Sequence, residues 1–305
     1  MRILVTGGAG FIGSHIVDAY LAAGHDVRVI DNLATGKRSN LPDRFPLHEL
    51  DLHDPETERI FDTFKPEVVN HHAAQASVKV GSADPVADLR ANGGGTARIA
   101  QLAARYGARK VIYSSSGGTV YGEPQALPVT ESHPIGPMSN YGLSKYTGEL
   151  YLELTHRVTA LDYTILRYGN AYGPRQDPHG EAGVVAIFTG LMLRKEPCTI
   201  DGDGEQKKDY IYVGDIARMN VLALNGGSQQ AYNIGTGAGT TVNTIFQTLH
   251  TATGNTIEPR NGPPRPGDVR NFWLDYTKAK TQLGWEPTVS FEDGIRETVA
   301  WFKAQ

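Results

Sequence analysis

One segment limits the folds open to this chain. Gly7-Gly8-Ala9-Gly10-Phe11-Ile12-Gly13 follows a short apolar run, residues 2–5, and opens a helical pattern over residues 11–23. Gly7 permits a tight turn, Gly10 lets the backbone approach a pyrophosphate at the positive helix end, and Gly13 lets helix and strand pack closely. A glycine pattern alone carries little weight; here it has the strand before it and the helix after it that the reading needs. Further apolar runs, at residues 27–30, 47–49, 68–71, 110–113 and 164–166, read as strands. Helical patterns at 56–64, 85–106 and 140–158 separate them. Strands spaced by helices of that length indicate βαβ units: an α/β fold with a Rossmann-type parallel sheet flanked by helices.

Gly and Pro then become denser, at Gly173-Pro174, Gly202-Asp203-Gly204 and Gly262-Pro263-Pro264. This divides the chain into a cofactor domain, residues 1–170, and a smaller α/β lobe, 171–305, partly interleaved with it. The chain has 305 residues, 40% hydrophobic and 20% charged, which suits a folded globular protein. A net charge of −4 argues against a nucleic-acid or acidic-membrane surface. The single cysteine, Cys198, allows no internal disulfide and reads as a small buried hydrophobe. The apolar stretch around 183–193 is too short to span a bilayer, and residues 1–5 read as strand instead of leader, so a cytoplasmic setting is expected.

Asp31 ends the second strand 24 residues after Gly7. A carboxylate there accepts both adenosine-ribose hydroxyls and repels a 2′-phosphate, favouring NAD over NADP. Lys37 and Arg38 cut the other way if they reach that phosphate; otherwise they belong to a solvated loop. Asp51-Leu52 either holds the adenine or, for Asp51, caps a helix. His71 and His72 point to opposite faces of a strand, so they read as structural and no metal site is expected.

Tyr141 and Lys145 sit four residues apart in a helical pattern and share a face. A nearby ammonium favours the phenolate, and lowering a phenol from about 10 toward neutrality takes roughly 4 kcal/mol. On that reading Tyr141 is a general base.

The glycine fingerprint, Asp31, His71-x-Ala73-Ala74-Gln75, Asn92, Ser114-Ser115-Ser116 and Tyr141/Lys145 occur in one order. Leu166–Pro174 with Arg175, Gly202–Tyr210, Arg265-Pro266-Gly267-Asp268 and Leu283-Gly284-Trp285 continue it. Together they resemble the extended short-chain dehydrogenase/reductase superfamily over nearly the whole chain, within its UDP-glucose (UDP-galactose) 4-epimerase branch. The resemblance implies an NAD site on Gly7, Gly10, Phe11, Ile12, Gly13, Asp31, Asn32, Lys37, Asp51, Leu52, Ala73, Ala74, Gln75, Asn92, Ser114, Tyr141, Lys145 and Tyr168. It implies that Tyr141 takes the 4-hydroxyl proton, Ser116 bonds the 4-oxygen with Ser115 as runner-up, and Lys145 holds the nicotinamide ribose. Asn170, Lys208 (where Arg is usual) and Arg265 would hold the diphosphate of a UDP-sugar, and Asp268 the uridine ribose. Phe272 would lie near the sugar 2-substituent and disfavour N-acetylhexosamines. Related dehydratases carry Asp-Glu after the catalytic hydroxyl and decarboxylases a Glu; this chain has Gly117-Gly118-Thr119, which favours simple epimerisation. Alternatives are an epimerase or decarboxylase acting on a uronic acid, pentose or N-acetylhexosamine, and a non-catalytic NAD-binding regulator. The helices near 85–106 and 140–158 match those that form a homodimer interface in the family.

Overall fold

The computed structural model describes residues 1–179, 183–264 and 269–305. In its first part, β1 (Arg2–Thr6), α1 (Phe11–Ala22), β2 (Asp26–Asp31), β3 (Leu47–Glu49), α2 (Pro55–Phe64) and β4 (Val68–His71) follow in turn. After them come α3 (Val78–Ala83), α4 (Pro85–Leu89), α5 (Gly95–Arg105), β5 (Lys110–Ser116), α6 (Gly117–Val120), α7 (Asn140–Thr159) and β6 (Asp162–Tyr168). The second part contains β7 (Asn170–Tyr172), α8 (Val184–Leu193), β8 (Thr199–Asp201), β9 (Lys207–Lys208), β10 (Tyr210–Tyr212), α9 (Val213–Ala223) and β11 (Gln230–Ile234). It continues through β12 (Thr240–Thr241), α10 (Val242–Thr253), β13 (Arg260–Gly262), β14 (Asn271–Phe272), α11 (Thr277–Leu283) and α12 (Phe291–Lys303).

Seven strands form one parallel sheet in the order β11-β6-β5-β4-β1-β2-β3. Alternation along each strand feeds two cores. Ile3, Val5, Val29 and Ile112 meet Ile16 and Tyr20 of α1 and Ile216 and Met219 of α9 on one face. Leu4, Ile30, Val69 and Val111 meet Phe61 of α2, Ile99 and Leu102 of α5 and Leu152 of α7 on the other. Both faces are covered, which is why the strands read as continuous apolar runs.

The chain crosses back over residue 170. β11 comes from the second part yet pairs with β6, from Gln230 opposite Thr164 to Ile234 opposite Tyr168. The rest of the second part packs Val185 and Phe188 of α8, Ile245 and Leu249 of α10 and Ile295 and Val299 of α12 around Tyr172 and Tyr210. The helix expected over 85–106 is interrupted: Arg90–Gly94 winds as a π-helix between α4 and α5. Gly93-Gly94-Gly95 gives the backbone that latitude, and the widened turn frees the Asn92 side chain for other bonds.

Candidate active site

A cleft of about 1680 Å³ runs along the carboxyl ends of the central strands and into the second lobe. That exceeds the roughly 300–1,000 Å³ of a single small-molecule pocket. Of the residues expected from the sequence, its walls include Gly7, Gly10, Phe11, Ile12, Gly13, Asp31, Asn32, Lys37, Asp51, Leu52, Ala73, Ala74, Gln75, Ser114, Ser116, Tyr141, Lys145, Tyr168, Asn170 and Lys208.

At the dinucleotide end, Gly7 has φ +70°, the left-handed region that favours glycine. A Cβ on Gly13 would lie 2.1 Å from the Gly7 carbonyl oxygen, so only glycine lets α1 sit this close to the turn. Gly10 caps α1 without a side-chain bond, leaving first-turn N–H groups for an anion. Asp31 is held by the N–H groups of Ala9 and Leu33, both at 2.9 Å, with its carboxylate at the end of β2. Asp51 accepts from His53 N at 2.9 Å and from Asn32 Nδ2 at 3.4 Å. The cap of α2 is Asp54 instead, so Asp51 stays on the cleft wall. Lys37 pairs with Asp177 at 3.1 Å across the cleft mouth. These residues fit a dinucleotide: a glycine cradle, a positive helix end and a carboxylate at ribose distance from the turn.

At the reacting end, alternation along β5 separates the three serines. Ser115 faces inward and donates to Glu149 Oε1 at 2.5 Å. Ser114 and Ser116 face the cleft, and the Ser116 hydroxyl lies near enough to the Tyr141 phenol to pull its pKa down. This places Ser116, not Ser115, beside Tyr141. Lys145 lies one turn further on α7, with Nζ 4.7 Å from the centre of the Tyr113 ring.

The expected acidity of Tyr141 is corrected. The low-dielectric cleft floor pushes its phenol up to about 12; the Ser116 hydroxyl opposes this and the Asp88 carboxylate adds to it. Proximity to Lys145 does not overcome desolvation here. Lys145 is itself buried, 2% exposed, and burial pushes its ammonium down to about 8 against the pull of Glu149 and Asp88.

Two other residues expected in the site lie elsewhere. Asn92 is buried behind the wall, not in the cleft. Its Oδ1 accepts from Gln75 N at 2.9 Å, and its Nδ2 reaches Gln75 O and Ser144 Oγ, both at 3.0 Å, so it clamps the β4–α3 loop. Phe272 is 4% exposed and packs with Val120, Tyr121, Val129 and Leu274 in a separate small core. Its ring gives no wall against a sugar 2-substituent. Arg265 and Asp268 lie outside the described residues. Lys208 donates to Val269 O at the cleft edge.

A family model for the NAD dependent epimerase/dehydratase family matches residues 3–235. The chain belongs to this family. It is 51% identical to a UDP-glucose 4-epimerase from Thermotoga maritima solved with UDP-glucose (TM-score 0.97, covering 100% of this chain and 99% of that one). It is 46% identical to a UDP-glucose 4-epimerase from Thermus thermophilus solved with NAD (TM-score 0.94, 99% of each chain). A UDP-glucose 4-epimerase of Mycolicibacterium smegmatis is 44% identical over 309 residues, 99% of each protein. As in the family's NAD dependence, the dinucleotide end of this chain carries the glycine turn and Asp31.

Val184, Phe188, Leu191 and Thr199, which line the other end of this family member's cleft, were not singled out in the sequence, and His72, read there as structural, lies on the cleft wall. The first four come from α8 and β8, far in sequence from the glycine turn, and no local pattern marks them.

Lys145 yields a stability prediction. The group titrates near 10.4 in an unfolded chain but at about 8 here, so the unfolded state binds more protons between those values. Stability therefore rises with pH across that window, and below it the buried charge costs ~3 kcal/mol. Lys145→Met should stabilise the nucleotide-free protein by about 1–3 kcal/mol at pH 7, with the gain gone by about pH 10.5. Urea unfolding at both pH values measures it; no gain at neutral pH would contradict the burial argument.

Proposed function

We propose that this chain interconverts UDP-glucose and UDP-galactose as an NAD-dependent UDP-hexose 4-epimerase. The observation that carries the reading is Ser116 beside Tyr141 on the wall of one cleft of about 1680 Å³ that also holds the glycine turn and Asp31. The acidic residues on the described cleft wall are Asp31, Asp51, Asp177 and Asp201. Asp31 and Asp51 belong to the adenosine end, Asp177 pairs with Lys37, and Asp201 sits on β8 in the second lobe. After Ser116 come Gly117, Gly118 and Thr119, so elimination has no acid or base where related dehydratases and decarboxylases carry one. Simple epimerisation needs neither.

Bound NAD would supply the hydride acceptor and donor for C4 and a positive charge that favours a phenolate. Tyr141 removes the 4-hydroxyl proton and gives it back; Ser116 bonds the 4-oxygen and relays that proton. Lys145 holds the nicotinamide ribose. The glycine turn, Asp31 and Asp51 hold the adenosine half, with Asn170, Lys208 and Arg265 for the sugar-nucleotide diphosphate and Asp268 for the uridine ribose. We read residues 1–170 as the cofactor domain and 171–305 as the sugar-nucleotide lobe. A buried, unpaired Cys198 suits a cytoplasmic enzyme. Purified protein should convert UDP-glucose to UDP-galactose without added NADH, read by chromatography; a product that has lost carbon dioxide or water would overturn the assignment.

The working form is a homodimer. α7 exposes Leu143, Leu150, Tyr151, Leu154 and Val158 at helical spacing, and α3 and α4, which pack beside it, expose Val78, Val80, Val86 (77%) and Leu89. An apolar face of this size on adjacent helices fits a second copy of itself. Leu154→Glu should shift the mass by light scattering from dimer to monomer; a wild-type monomer would reject the reading.

A further inference from the structure

Two cations, Lys37 and Arg38, follow closely on Asp31, the residue read as facing the adenosine ribose. The loop that carries them lies against that carboxylate. A Cβ on Gly36 would meet the two Asp31 carboxylate oxygens at 2.8 and 3.0 Å, and Lys37 N donates to Ala9 O of the glycine turn at 3.0 Å. The Lys37 side chain lines the cleft. A phosphate on the ribose 2′-oxygen would therefore stand beside the stem of this lysine, where an ammonium is its natural counter-charge.

Both cations are engaged elsewhere. Arg38 Nη2 donates to Phe45 O at 3.0 Å, within the first lobe. Lys37 Nζ pairs with Asp177 Oδ2 at 3.1 Å, and Asp177 comes from the segment between β7 and α8, in the second lobe. That segment is pinned to α1: His15 Nε2 donates to Pro174 O at 2.9 Å, and Arg175 pairs with Asp18 at 2.7 Å. The Asp177 carboxylate also accepts from His179 N at 2.9 Å, which fixes its direction. The pair does little for the fold. Its side chains are 55% and 41% exposed, and such pairs contribute about 0–1 kcal/mol. What it changes is the charge on offer at the cleft mouth.

We propose that Asp177 is a second determinant of NAD over NADP, acting from the second lobe by holding Lys37 away from the adenosine 2′ position. Asp31 repels a 2′-phosphate directly, and Asp177 removes the cation that would otherwise receive it. A site can reject a competitor by leaving its charge unpaired as well as by attracting the right ligand. A 2′-hydroxyl asks for no such cation, so NAD loses nothing. The inference rests on the reading of the cleft as an NAD site.

NADH and NADPH differ only in that phosphate, so the ratio of their affinities cancels any general effect on the fold or the cleft. Fluorescence titration of nucleotide-stripped protein at low ionic strength, where exposed charges are least screened, measures it. Asp177→Asn should shift the ratio about 3–5-fold toward NADPH, the worth of one exposed ion pair. Adding Lys37→Met to D177N should remove that gain, because the freed ammonium is what receives the phosphate. An unchanged ratio in D177N, or a gain that survives K37M, would overturn the proposal while the cofactor site stands. Failure of the wild-type protein to take up NADH would bring down the cofactor reading and the inference with it.

Discussion

Tyr141→Phe should lower kcat by about 10²–10⁴-fold, the range for a positioned acid–base group, and leave the protein folded. The substitution removes one oxygen. That oxygen faces Ser116 at the cleft wall, so its loss costs the fold about 1 kcal/mol at most. The ring still fills its place, and the dinucleotide end of the cleft, built from the Gly7 turn and Asp31, is untouched. Among the described residues, neither Ser115 nor Glu149 can serve as a substitute base. Ser115 is bonded to Glu149 behind the sheet, and Glu149 is fully buried against Arg167. Steady-state kinetics together with a thermal melt give the result. Turnover within twofold of wild type, at an unchanged melting temperature, would remove Tyr141 from the mechanism.

The second large effect lies behind the site. Glu149 accepts from Ser115, from Arg167 Nε at 3.0 Å and from Arg167 Nη2 at 2.5 Å. Arg167, 6% exposed, also donates to the Tyr121 hydroxyl at 2.8 Å, and Tyr121 donates to Asn233 Oδ1 at 2.7 Å. The network joins α7 to β5, β6 and β11. Glu149→Ala leaves a guanidinium in the interior with its charge uncompensated, at a cost of about 3–5 kcal/mol. The melting temperature should drop by roughly 10 °C. The double substitution of Glu149 and Arg167 to Met should recover much of that loss, because the desolvation of both charges goes with them. A single E149A variant as stable as wild type would show that the pair is not uniformly buried in solution.

How far the sequence carried these conclusions depends on distance along the chain. The Gly7–Gly13 turn, Asp31 and the Tyr141/Lys145 spacing are local patterns, and each lies where its pattern put it, on the wall of one cleft. The main-sheet strands and α7 were legible for the same reason: buried parallel strands are continuous apolar runs, and α7 starts at a serine cap, Ser139. What was not legible depends on partners far away. β11 joins the sheet only through β6, 66 residues earlier by the register of Gln230 with Thr164, and nothing in its own residues names that partner. Phe272 and Asn92 were assigned by position in a motif, but their side chains turn away from the cleft, one into a core and one onto Gln75. The acidity of Tyr141 failed for a physical reason. Spacing gives proximity to Lys145, whereas the pKa is set mainly by desolvation, which only the packed fold reveals.

The central claim is that one hydride leaves C4 and returns to the same carbon, with Tyr141 carrying only the proton. UDP-glucose deuterated at C4, incubated with the purified protein and followed by NMR, tests it directly. UDP-galactose that keeps its deuterium at C4, with no NADH set free, is the predicted result. Loss of the label to solvent, or accumulation of NADH with a 4-keto sugar, would contradict the account.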